Sequence, residues 1–175
     1  MGAALNPGLI AKSTSFIYLQ CNSKMKNYKS YFTIPGTPEE VYAAITNPLT
    51  IQLWTGAAVK MSTEAGSEFS MWDESINGKN LEFEQDKKIV QQWYFGDQEE
   101  SSIVTIKLHP HKQGTSAELV HTNIPDDDFE DIVEGWNNSY FGAIIYFYLA
   151  GICSFKLRNI NYHEQKYIYY RASDL

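Results

Sequence analysis

Residues 125–151, PDDDFEDIVEGWNNSYFGAIIYFYLAG, constrain the fold more than any other part of the chain. Phe129, Val133, Trp136, Tyr140, Ile144, Phe147 and Gly151 recur at steps of three and four, the spacing of one helix face. Pro125 blocks an earlier start, and an Asp at 126 or 127 can cap. Asp126, Asp127, Asp128, Glu130, Asp131 and Glu134 all crowd the positive end of the expected helix dipole. A face carrying this much aromatic surface must be covered. The cover has to come from the strand-rich region that precedes it.

That region alternates in the manner of an antiparallel sheet wet on one side. Tyr28–Ile34 reads as a first strand, closed by Pro35-Gly36. Thr37-Pro38-Glu39-Glu40 then carries a helix cap, a proline for the first turn and acidic residues behind it, and a second short helix spans Leu49–Trp54. Strand-like runs follow at Val59–Met61, Glu68–Trp72, Ser75–Glu84, Lys88–Phe95, Ser102–Leu108 and Thr115–Thr122. Within 75–84, Ile76 falls on one phase and Leu81 and Phe83 on the other, so a bulge near Gly78-Lys79-Asn80 is expected, with the turn earlier, at Asp73-Glu74. The pattern predicts an α+β fold: a curved antiparallel sheet of six to seven strands wrapped on a long C-terminal helix, with two short helices after the first strand.

At 175 residues and 43% hydrophobic, the chain suits one domain with extensions: 1–27 before it, 28–151 within it, and a Tyr-rich tail at 152–175. Met25 looks like a start, which would leave the first 24 residues upstream of the fold. A net charge of −7 argues against nucleic acid or an anionic membrane as partner, and no apolar run reaches the ~20 residues that span a bilayer. SFIYLQC lacks the basic start and the cleavage site of a leader, and Cys21 and Cys153 are too far apart for metal-ligand spacing. A cytoplasmic chain with reduced thiols is the expectation.

The motif search turns up no nucleophile triad, Cys-x-x-Cys, phosphate-binding loop or His-Glu-x-x-His, so no catalytic residue, metal or cofactor is expected. His109-Pro110-His111 lacks a third ligand and reads as surface. Phe69, Met71, Trp93, His121, Trp136 and Tyr140 should project between sheet and helix, as core or as the lining of a small cavity. His121 has the placement of a satisfied buried histidine, which is also where a pocket base would sit. Asp127, Asp128 and Asp131 are candidate contacts for a basic partner; a solvated helix start stabilised by its dipole needs no partner and is the favoured explanation.

The order of TPEEVYAAITNPLTIQLWT, GSEF, SINGKNLEF, DKKIVQQW, SIVTIKL, GTSAEL and NIPDDDFEDIVEGWNNSYFGAI resembles the Bet v 1-like (START-like, helix-grip) superfamily. Within it, residues 28–151 are similar to the C-terminal domain of the activator of Hsp90 ATPase family. The activator's N-terminal domain has no counterpart here, and Glu74 stands where members tend to have Gly. The resemblance implies a non-enzymatic, stress-related co-chaperone that binds an Hsp90-type chaperone and, alone, stimulates its ATPase little. The alternative it implies is a carrier for a small hydrophobic ligand held between sheet and long helix. A superfamily enzyme built on His121 and Tyr140 is a third reading, for which no acid/base pair can be named. The sequence does not set the oligomeric state.

Overall fold

The computed structural model describes residues 24–96 and 100–159, with 152–159 described by backbone alone. The expectations for residues 1–23 and 160–175, and the side chain of Cys153, lie outside the described residues. Six strands form one antiparallel sheet: β1 (Met25–Ile34), β2 (Glu68–Met71), β3 (Ile76–Glu84), β4 (Lys88–Trp93), β5 (Ser102–His111) and β6 (Gly114–Pro125), in the order β1-β6-β5-β4-β3-β2. The two short helices are α1 (Pro38–Thr46) and α2 (Pro48–Thr55). After β6 the chain makes a single 3₁₀ turn (Asp126–Asp128), then α3 (Phe129–Glu134), a π-helical turn (Gly135–Tyr140) and α4 (Phe141–Asn159).

Local chemistry sets the short helices. Thr37 and Glu40 close a capping box: Glu40 N–H donates to Thr37 Oγ1 (3.3 Å), and Thr37 N–H donates to Glu40 Oε2 (2.7 Å). Asn47 ends α1 and caps α2, its Oδ1 accepting from Leu49 N–H at 2.9 Å. Gly56, at φ 68°, stops α2 in the left-handed conformation. Val41, Ala44, Ile45, Ile51 and Trp54 are buried beneath this pair, and Trp54 Nε1–H donates to Ala44 C=O at 2.8 Å.

The sheet departs from the expected register in instructive ways. Val59–Met61 is not a strand: Lys60 forms one isolated bridge to Ser70, and the sheet has six strands among the described residues. The β2–β3 turn does fall at Trp72–Ser75, with Trp72, Asp73 and Glu74 all at positive φ. The bulge comes one residue later than the expected stretch, at Leu81, between the Asn80↔Gln91 and Glu82↔Val90 pairs. It carries the parity change, for Gly78 and Asn80 are buried before it and Phe83 is partly buried after it.

Gly78 is therefore a strand residue. A Cβ placed there would lie 2.1 Å from the Gln92 carbonyl oxygen and 2.6 Å from the Phe69 ring. Both the backbone and the ring pack against the missing side chain, so neither yields easily. Gly78→Ala is expected to cost about 1–3 kcal/mol in urea unfolding. A variant as stable as the parent would mean that this approach is looser than drawn.

The long helix is interrupted, where the sequence pattern predicts one continuous element. No Asp side chain caps it; Asp126 instead pairs with Lys26 at 2.5 Å, and the N–H groups at the start of α3 lack a side-chain acceptor. The π turn closes with Phe141 N–H donating to Trp136 C=O, one residue further back than an α-helix would reach. The wider turn brings Trp136, Tyr140 and Phe141 inward together, and Phe141 was not on the expected face. Gly142 makes room for it: a Cβ there would sit 2.4 Å from the carbonyl oxygen of Asn137. Beyond the turn, Ile144 is buried and Phe147 partly so, whereas Gly151 is exposed and α4 continues to Asn159.

Candidate functional site

The inner face of the sheet meets the helical segment through rings. Trp93 of β4 stacks on Trp136 at 4.7 Å and 28°, Trp136 continues to Tyr140 at 4.7 Å, and Phe141 stacks on Phe32 of β1 at 4.2 Å. Tyr140 meets Trp54 of α2 at 5.3 Å and Trp72 of the β2–β3 turn at 6.1 Å. Such offset and tilted pairs add about 0.5–1.5 kcal/mol each beyond the area they bury.

Two chains of hydrogen bonds flank the stacked indoles. On one side Trp93 Nε1–H donates to Gln91 Oε1 (3.2 Å), and Gln91 Nε2–H to Asn80 Oδ1 (2.9 Å). Asn80 Nδ2–H in turn donates to Ser62 C=O (3.0 Å) and Ser67 Oγ (3.1 Å), so the bulged strand holds the 62–67 loop. On the other side Trp136 Nε1–H donates to His121 Nδ1 at 3.0 Å. Indole is a donor only, so Nδ1 must be the acceptor and the proton sits on Nε2. That N–H donates to Ser102 Oγ (2.8 Å), whose own hydrogen goes to Thr122 C=O (3.1 Å). His121 is fully buried, and burial pushes its pKa down to about 3. Both ring nitrogens are engaged and the ring is neutral at pH 7, a poor arrangement for a general base.

All six predicted cavity residues are buried: Phe69, Met71, Trp93, His121, Trp136 and Tyr140 are each 4% exposed or less. They fill the space between sheet and helix rather than surrounding a large hollow. A smaller cleft of about 240 Å³ opens at one end, between the β2–β3 turn and residues 131–140. Trp93, Trp136 and Tyr140 reach it; Phe69, Met71 and His121 lie outside its lining. Sequence reasoning missed Trp72, Ile76 and Ile132, which line the mouth, because their placement depends on the turn at 72–75 and on the break after α3. Trp72 at φ 50° is unusual for a bulky residue, and its ring is held edge-on to Trp54 at 5.7 Å. Tyr140, 2% exposed, has a hydroxyl with no hydrogen-bond partner among the described residues. Burial also raises its pKa, so it stays a neutral phenol.

The remaining candidates lie on the surface. Asp127, Asp128 and Asp131 are exposed around the start of α3. His109 sits 3.6 Å from Glu118, and His111 Nδ1 accepts from Gln113 N–H, so the two histidines have separate surface contacts. Among the described residues no group of three His, Cys, Asp or Glu side chains is arranged to hold a metal, and no helix is long and apolar enough to cross a membrane.

Comparison with known proteins agrees with this architecture. The family described as activator of Hsp90 ATPase homolog 1-like protein matches residues 35–144. An activator of 90 kDa heat shock protein ATPase homolog from Dictyostelium discoideum is 32% identical over 111 residues, which is 62% of this chain and 29% of that protein. The chain thus spans less than a third of that relative's length. Among solved structures, an Hsp90 activator from Plasmodium falciparum superposes with a TM-score of 0.60 at 24% identity, over 69% of this chain and 92% of that one. The Aha1 dimer from Colwellia psychrerythraea gives 0.56 at 17% identity, over 71% and 92%. Residues 35–144 supply both short helices, strands β2 to β6 and the helical segment through Ile144, and on that match the chain belongs to the activator of Hsp90 ATPase homolog 1-like family.

Proposed function

We propose that this protein is a non-enzymatic, co-chaperone-like binder of an Hsp90-type chaperone, working in the cytoplasm. Membership of the family over residues 35–144 is the observation that carries this reading. The filled interior and the doubly engaged, neutral His121 support binding over catalysis. The contact we assign is the exposed acidic start of α3, Asp127, Asp128 and Asp131, which would draw in a basic surface. The contact offered by this one domain by itself is expected to be weak, with little ATPase stimulation from it.

Calorimetry with the chaperone of the same cell tests the reading. Binding is expected at ~100 μM or tighter, weakened about fivefold or more by reversing Asp127, Asp128 and Asp131 to Lys, and weakened similarly by raised salt. Binding indifferent to both would keep the partner and discard the acidic patch. No binding at ~100 μM removes the chaperone reading and leaves the carrier reading, in which a small hydrophobic ligand occupies the cleft beside Tyr140.

A further inference from the structure

We propose that the cleft between the β2–β3 turn and the π turn is a binding site for a small protonated amine with an apolar body. The inference deepens the carrier reading and does not depend on the chaperone. Its size comes first. At about 240 Å³ the cleft falls below the ~300 Å³ where drug-sized pockets begin, so it suits one aromatic or branched aliphatic group with a short arm.

Its chemistry selects the sign of charge. Trp72, Trp93, Trp136 and Tyr140 border it, and the negative faces of such rings attract cations and not anions. Asp131 borders it as well, and no Lys, Arg or His side chain does. Both lips are acidic: Asp73 and Glu74 are exposed in the turn that positions Trp72, and Glu130 and Glu134 are exposed on either side of Asp131 in α3. These carboxylates concentrate cations at the mouth.

One polar atom at the cleft then points to a ligand. The Tyr140 hydroxyl lacks a partner, yet its residue lines the cleft and its oxygen is not sealed from it. That hydroxyl is open to solvent, so it is free to accept a hydrogen bond from a molecule in the cleft. An ammonium N–H entering beside the rings would donate to that oxygen, while Asp131 at the rim balances its charge. An anion would meet only like charge there. A neutral apolar molecule would fill the cleft and leave both polar groups without the contact that favours the amine.

The test uses the full chain with two isosteric probes, 2-phenylethylammonium and 2-phenylethanol, followed by the indole N–H signals of Trp72 and Trp136. The ammonium is expected to bind with a Kd of about 1 mM and about tenfold more tightly than the alcohol at low salt. Asp131→Asn should bring that preference down to about threefold or less, with alcohol binding unchanged; Asp131 is exposed, so the fold tolerates the change. Tyr140→Phe, which keeps the ring packing, should weaken the ammonium. Equal affinity for the two probes, or a preference untouched by Asp131→Asn, overturns the amine inference and leaves a carrier of neutral ligands. Saturable binding that Trp72→Leu does not weaken places the probe elsewhere and overturns it too. No shift with either probe at ~20 mM overturns both the inference and the carrier reading.

Discussion

Truncating Trp136 to alanine is expected to lower the unfolding free energy by about 3–5 kcal/mol, measured by urea unfolding at pH 7. Trp136 is 2% exposed and touches rings from three directions: Trp93 on the sheet, Tyr140 in its own turn and Phe141 after it. Removing the indole opens a cavity whose walls belong to different elements, so collapse around it is limited. It also deletes the donor to His121 Nδ1, leaving a fully buried acceptor unpaired. Trp136→Phe separates the two effects: most of the packing stays, the hydrogen bond goes, and about 1–3 kcal/mol should be lost. A loss below about 1 kcal/mol for Trp136→Ala would contradict the packing described here.

The two hydrogen-bond chains explain why the stacked indoles sit where they do. Apolar burial alone would let the helical segment slide along the sheet at small cost, since one ring replaces another. Each indole N–H, however, has one acceptor at the correct place: Gln91 Oε1 for Trp93 and His121 Nδ1 for Trp136. The Trp93 bond lies within β4 and holds that ring to its own strand, whereas a shift of the helical segment by one residue would leave the Trp136 N–H and His121 Nδ1 unmatched in the interior. These buried polar groups therefore fix register, and do so because every member is satisfied.

Much of this was legible in the chain. Strand alternation in Val104, Ile106, Leu108 and in Ala117, Leu119, His121 marks the buried face directly, and the Thr37–Glu40 capping box is visible as residue types at the right spacing. The parity break in 75–84 located a bulge to within a residue or so, because the rival repair, a hairpin turn at Asn77-Gly78, would leave two very short strands. The π turn was hidden. Trp136, Tyr140 and Ile144 are compatible with a straight α-helix, and the extra inward residue, Phe141, shows only when the backbone widens. Gly142 carried the signal, since a glycine amid helix formers costs stability unless something must approach it closely. The cleft was beyond reach for the same reason: its walls come from a left-handed tryptophan and a broken helix, and neither has a periodic signature. The tautomer of His121 needed the three-dimensional pairing with Trp136, although its buried phase was plain from β6.

Acidification should destabilise the fold well before its carboxylates titrate, and His121 sets the window. In the unfolded chain the ring has its ordinary pKa of 6.5, whereas in the fold it lies at about 3. Between those values the unfolded state binds a proton that the native state refuses, so stability falls as pH falls. Above pH 7 neither state is protonated and the group contributes no slope. Below 6.5 the loss is about 1.4 kcal/mol per pH unit, or about 2 kcal/mol by pH 5. Glu84 and Glu118, whose carboxyl pKa values are held down by hydrogen bonds from Lys87 and Lys29, lose their stabilisation only below the ordinary carboxylate value of 4.5. The interval from pH 6.5 to 5 therefore isolates the histidine from them. Protonation would place a hydrogen on Nδ1, against the Trp136 N–H, so the native state resists it by geometry as well as by burial. His121→Gln supplies the control, because a Gln amide can accept from Trp136 and donate to Ser102 without titrating. Urea midpoints at pH 7, 6 and 5 should fall for the parent and stay nearly level for this variant, from a lower starting point. A parent whose midpoint is unchanged from pH 7 to 5, or a variant that loses as much as the parent, would show that His121 is not the group that senses acid.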